Sequence, residues 1–186
     1  MEWITQLDFG ILYWIQDNFR CVFLDFLMPG ITFLGNAGLI WLLSAGVLLL
    51  LPKYRRTGIL LLVGLAVGAL VGNAVIKPLF ARMRPCWINP AVEMLISVPQ
   101  DFSFPSGHTL SSVIAATVLT AADRRFGAMA IPLAALIAFS RLYLFVHFPT
   151  DVIASVAFGI VIGIVVLKYV GHMVDKMAFL LTKSKK

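Results

Sequence analysis

Three residues equipped for chemistry, Arg141, His147 and Asp151, stand between two long apolar runs. Charge is expensive at the edge of a membrane segment, so an ionisable residue there is a functional hypothesis by default. A histidine followed four residues later by an aspartate can make a fixed imidazole–carboxylate pair, which orients the ring and raises its basicity. Taken alone, that pair reads equally well as structural, with Arg141 as its counter-ion. Two further polar stretches tip the balance. Lys77, Arg82 and Arg84 precede Pro85, and Pro105-Ser106-Gly107-His108 opens a helix. Guanidinium forks and a lysine point charge suit phosphoryl oxygens, more so where water is partly excluded. The free N–H groups of a helix start, with the Ser106 hydroxyl, make an anion site. Phosphoryl transfer needs an in-line nucleophile and a leaving group that picks up a proton. His147, held by Asp151, fits the first need and His108 the second. Two histidines and one aspartate among several cations make a poor metal site, so neither a metal nor another cofactor is expected.

The elements that must position these residues are apolar. Of 186 residues, 60% are hydrophobic and 13% charged, and the apolar ones come in long blocks. The chain is therefore expected to be a single all-α integral membrane domain over residues 1–186. The blocks predict six transmembrane helices, over about 20–34, 36–51, 58–77, 105–122, 128–146 and 150–170. Residues 2–19 predict an N-terminal amphipathic interfacial helix, the alternative being an early start to the first span. The net charge of +6 lies in short clusters between apolar blocks, the pattern of membrane topology and not of nucleic-acid binding. The larger basic set, Lys53, Arg55, Arg56, Arg124, Arg125 and the tail lysines through Lys185 and Lys186, predicts cytoplasmic termini. All three polar stretches then meet at the extracytoplasmic face. The only obvious partners are the bilayer and a lipid substrate within it.

The motifs resemble those of the type-2 phosphatidic acid phosphatase family, which shares a superfamily with bacterial acid phosphatases and vanadium haloperoxidases. Its Lys, six residues, Arg-Pro is present as Lys77 to Arg84-Pro85, and its Pro-Ser-Gly-His as Pro105 to His108. Its Ser-Arg, five residues, His, three residues, Asp is present as Ser140-Arg141, His147 and Asp151. Three unsubstituted motifs in order are far more specific than one. The resemblance implies metal-independent hydrolysis through a phosphohistidine at His147, with Asp151 orienting it and His108 protonating the leaving group. It implies that Lys77, Arg84, Ser106, Gly107 and Arg141 hold the phosphoryl oxygens, and it assigns nothing to Arg82. By analogy with small bacterial members, undecaprenyl diphosphate is the first substrate expected, ahead of phosphatidylglycerophosphate or phosphatidic acid. A protein that merely binds or moves phospholipid would need the cations but neither histidine.

Other residues carry less. Gly64, Gly68 and Gly72 form a small-residue face suited to close helix contact, within the chain or between copies. Asp25 reads as a packed or interfacial carboxylate. Asn73, one turn before Lys77, can orient that ammonium or bond across helices. Cys86 reads as a passive loop thiol, unlikely partner to Cys21 in any disulfide, and His172 has no motif around it.

Overall fold

Residues 2–183 are described by the structure, a computed structural model. Lys185 and Lys186 of the basic tail lie outside the described residues. All regular elements among the described residues are helical.

Helix α1 (Glu2–Phe19) is separated from α2 (Val22–Leu34) by Arg20 and Cys21. Its inward face is Asp8, Leu12 and Ile15, all buried, whereas Leu7, Ile11 and Trp14 on the opposite side are exposed. That outer apolar stripe suits lipid. Helices α2 and α3 (Leu39–Leu50) meet at Asn36–Gly38, where Ala37 and Gly38 take left-handed φ values of 49° and 71°. α4 (Arg55–Ala69) runs on through a π-helical stretch, Leu70–Ile76, into α5 (Lys77–Phe80), which Ala81 ends in a left-handed conformation. A short α6 (Pro85–Ile88) and an irregular connection lead to α7 (Gly107–Ala122), α8 (Arg124–Tyr143), α9 (Pro149–Val165) and α10 (Gly171–Lys183).

The expectation of six spanning helices is overturned. Among the described residues, three segments are long and apolar enough to cross a membrane: Pro52–Ile88, Arg124–Tyr143 and Pro149–Met177. A fourth is reached only if α2 and α3, bent by 47°, count as one broken span. The physical reason is length. Crossing the hydrocarbon takes about twenty helical residues, whereas α2 has 13, α3 has 12 and α7 has 16. Apolar composition alone does not register the left-handed break that divides α2 from α3.

α7 is the central helix, packed against α8, α9 and α4. Lipid tails are as apolar as leucine, so helix association here depends on fit more than on the hydrophobic effect. The glycine face of α4 supplies that fit within the chain. A Cβ at Gly64 would stand 2.9 Å from Ile114 Cγ2, and one at Gly72 would stand 2.6 Å from Leu110 Cδ2. Small residues therefore let α4 and α7 approach closely, and copies of the chain need not be invoked. Apolar side chains form two clusters. One gathers Trp41, Leu61, Val118 and Ile137; the other gathers Leu12, Met28, Tyr143, Phe145 and Phe148 beside the polar stretches. Where a polar atom enters the first cluster it is satisfied: Trp41 Nε1 donates to Ser112 Oγ at 2.9 Å.

Candidate active site

The three polar stretches converge at one end of the helices. The end of the π-bulged helix brings Lys77, and the extended residue before Pro85 brings Arg84. The start of α7 brings Gly107 and His108, and the last turn of α8 brings Arg141. The turn between α8 and α9 brings His147. All six line one cavity of about 680 Å3, whose apolar wall includes Phe33, Leu65 and Leu110.

Arg84 is the most heavily constrained of these side chains. Its Nε donates to the Asp101 carbonyl at 2.7 Å and its Nη2 to Asp101 Oδ1 at 2.7 Å. Its Nη1 donates to the Val146 carbonyl at 2.7 Å and stands 3.1 Å from His147 Nε2. A guanidinium has no acceptor, so the facing Nε2 must present its lone pair. The proton of a neutral ring then sits on Nδ1, toward Asp151 and Ser103. His147 Nδ1 is 3.6 Å from Asp151 Oδ2 and 3.4 Å from Ser103 Oγ. Burial, then Arg84, Arg141 and Lys77, push the His147 pKa well below its ordinary value, so the ring is neutral at neutral pH.

Asp151 heads α9, with Pro149 in the first turn. Its Oδ2 accepts from the Phe148 N–H at 2.9 Å and from Ser103 Oγ, and its Oδ1 accepts from Arg82 Nη1 at 2.5 Å. Asp151 and Ser106 thus stand behind the cavity, not in its wall. Ser106 is the N-cap of α7: its Oγ accepts from the Thr109 N–H at 3.5 Å and from Thr109 Oγ1 at 3.0 Å. Its hydroxyl oxygen thus accepts at the helix start that fixes the Gly107 backbone.

Several groups that motif spacing does not reveal complete the site. Asp101 makes ion pairs with Lys77 and Arg84 together. Burial alone would raise its pKa, but hydrogen bonding from Lys77 and the charge of Arg84 win and hold it at about 2. The elbow between α2 and α3 supplies two more. Asn36 Oδ1 lies 2.9 Å from His108 Nε2, and Thr32 Oγ1 accepts from Arg141 Nη1. Gly35 between them is required by space, since a Cβ there would stand 2.6 Å from His108 Cδ2. Arg141 is buried, and its Nε has no hydrogen-bond partner among the described residues. A buried donor left open costs stability, and this one belongs to a side chain that lines the cavity. Asn73 lies across from Gly107, on which a Cβ would meet Asn73 Oδ1 at 3.3 Å. Cys21 and Cys86 are both free, and Asp25 is packed, accepting from Tyr143 Oη at 2.7 Å and paired with Arg20 at 2.9 Å.

A model of the PAP2 superfamily matches residues 57–174, from the second residue after α4 begins to the start of α10. The chain belongs to the PAP2 superfamily. It is thereby a phosphatase of that hydrolase superfamily and a multi-pass membrane protein. An undecaprenyl-diphosphatase of Sulfolobus acidocaldarius is 34% identical over 122 residues, 64% of this chain and 58% of that protein. The match thus spans somewhat over half the length of that protein. A decaprenylphosphoryl-5-phosphoribose phosphatase of Mycobacterium tuberculosis is 33% identical over 74% of this chain and 75% of its own length. The crystal structure of a transmembrane PAP2 type phosphatidylglycerolphosphate phosphatase from Bacillus subtilis superposes with a TM-score of 0.75 at 26% identity. It covers 92% of this chain and 88% of that one. Aquifex aeolicus LpxE superposes with a TM-score of 0.72 at 26% identity, covering 88% and 96%.

Proposed function

We propose that this PAP2 enzyme hydrolyses the terminal phosphate of a membrane lipid phosphate or diphosphate through a phosphohistidine at His147. The observation that carries the reading is the single cavity in which His147 Nε2, His108 and the cations Lys77, Arg84 and Arg141 converge beside an apolar wall. The cations that line the cavity, Arg141 among them, neutralise the phosphoryl oxygens. Gly107 lends a backbone N–H at the start of α7, kept in place by the Ser106 cap.

His147 Nε2 attacks phosphorus in line, the bond from phosphorus to the lipid-side oxygen breaks, and His108 gives that oxygen its proton. Asp151 stabilises the ring as its charge grows. Water then attacks the phosphorus, His108 takes the water's proton, and the bond from phosphorus to Nε2 breaks. Phosphate leaves and His147 returns to its neutral form. With a diphosphate the leaving group is the lipid monophosphate.

Undecaprenyl diphosphate is the substrate proposed first, in keeping with the undecaprenyl-diphosphatase and decaprenyl-phosphoryl phosphatase among the relatives. Phosphatidylglycerophosphate and phosphatidic acid follow, the former acted on by the structurally similar Bacillus protein. The proposed setting is a bacterial cell membrane with the cavity open to the extracytoplasmic side. Support comes from charge: Lys53, Arg55, Arg56, Arg124 and Arg125 begin α4 and α8 at the end opposite the cavity. The test is phosphate release by purified protein in detergent across these three lipids, comparing kcat/KM. Equal release by wild type and His147→Ala would refute the phosphohistidine.

A further inference from the structure

Granting His147 as nucleophile, we propose that Asp8 of α1, acting through Arg82 and Thr150, is a positioning residue for Asp151. Asp8 lies more than 140 residues from Thr150 in sequence, the separation being 142. It is 1% exposed. Its Oδ1 accepts from the Thr150 N–H at 3.0 Å, and its Oδ2 accepts from Thr150 Oγ1 at 2.5 Å and Arg82 Nη2 at 2.7 Å. The other arm of the same guanidinium, Nη1, donates to Asp151 Oδ1 at 2.5 Å and to Thr150 Oγ1 at 2.8 Å. Arg82 is thus a fork shared by two buried carboxylates, with its Cζ 4.1 Å from the centroid of the Phe148 ring.

The two oxygens of Asp151 are held by different means. Oδ2 is held locally, by the Phe148 N–H and Ser103. Oδ1 is held by Arg82. Rotation of the carboxylate about its own axis, which decides what faces His147 Nδ1, is therefore set by Arg82, and Arg82 is set by Asp8. Docking α1 did not require a charge. Leu12 and Ile15 are buried beside it, and the Phe9 and Phe148 rings meet edge-on at 5.2 Å. A buried carboxylate costs stability unless fully paired, so its presence in this helix calls for a purpose that apolar packing does not supply. Charge balance gives one. Shared between two carboxylates, Arg82 orients Asp151 without fully neutralising it, and Asp151 keeps the negative charge that supports the imidazolium of His147.

The experiment compares wild type, Asp8→Asn, Arg82→Ala and His147→Ala as full-length protein in detergent, with a short-chain phosphatidic acid as the probe. Folding is checked by size-exclusion chromatography and thermal melting. Asp8→Asn and Arg82→Ala are expected to lower kcat and the rate of acid-labile phosphohistidine formation about 10- to 100-fold, with KM within about twofold of wild type. Added guanidinium ion should restore part of the Arg82→Ala rate and leave Asp8→Asn unmoved. Near-isosteric Asp8→Asn keeps the test open should Arg82→Ala fail to fold. Folded variants with wild-type kcat, a loss confined to KM or melting temperature, or no guanidinium response would overturn the positioning role. Activity surviving in His147→Ala would instead defeat the phosphohistidine reading, whatever Asp8 does.

Discussion

Asp101 occupies two of the cations proposed to hold the substrate phosphate, and Asp101→Asn isolates the effect. Its carboxylate bridges Lys77 and Arg84, so a phosphoryl group entering the cavity must displace it or share both partners. Opposite unit charges about 4 Å apart are worth roughly 4 kcal/mol at an effective dielectric of about 20 and about 1 kcal/mol in water. The Asp101 side chain is 56% exposed, which places it near the watery limit. An exposed pair contributes about 0.2–1 kcal/mol. The amide keeps the shape and loses the charge, while Arg84 stays anchored by the Asp101 and Val146 carbonyls. Vanadate, which mimics a pentacoordinate phosphoryl centre, should therefore bind Asp101→Asn up to about fivefold more tightly than wild type. The assay is inhibition of lipid-phosphate hydrolysis at neutral pH over a vanadate series. An unchanged or raised inhibition constant would refute competition and make Asp101 a prop for Arg84.

Three further outcomes are expected. Gly35→Ala drives a methyl into the His108 ring, at 2.6 Å from Cδ2, and overpacking of this kind costs about 1–3 kcal/mol; kcat should fall about tenfold or more while vanadate still binds. Because burial and three cations keep the His147 pKa well below the usual 6.5, the acid limb of the kcat/KM profile should lie below that value. The sign for stability agrees: below 6.5 the unfolded chain takes up a proton that folded His147 refuses, so thermal stability is retained above that pH and lost as pH falls. EDTA should leave phosphate release unchanged, and a loss reversed by added metal would contradict metal-independent hydrolysis.

Lys77, Arg84, Gly107, His108, Arg141 and His147 were legible because each sits in a short local motif, and the helix starts at Pro105 and Pro149 announce themselves through proline, serine and aspartate. What completes the site was not. Asp8 and Thr150 touch across 142 residues, and Arg82 and Asp8 across 74, with no spacing rule to join them. Thr32 and Asn36 reach Arg141 and His108 only because the chain breaks at Ala37, a residue whose positive φ no composition would suggest. That same break explains part of the excess of expected spans, and the shortness of α7 explains another part. Hydropathy measures how apolar a stretch is, and α2 and α3 are apolar throughout; whether they lie in one line is settled by two left-handed residues. Ser106 shows the opposite case. Its place before a helix was readable, and the structure adds that it caps that helix, its Oγ accepting from the Thr109 N–H.

The shortness of α7 has a consequence for water. Its 16 residues rise about 24 Å, against a hydrocarbon layer of about 30 Å. In the proposed membrane setting, with the basic Asp123–Arg125 turn at the opposite interface, His108 would lie several ångströms beneath the headgroup plane. A lipid phosphate must then sink to be cleaved, and the hydrolytic water must descend after it through the mouth that the leaving lipid vacates. Under the proposed mechanism, hydrolysis of the phosphohistidine would then wait on departure of the first product.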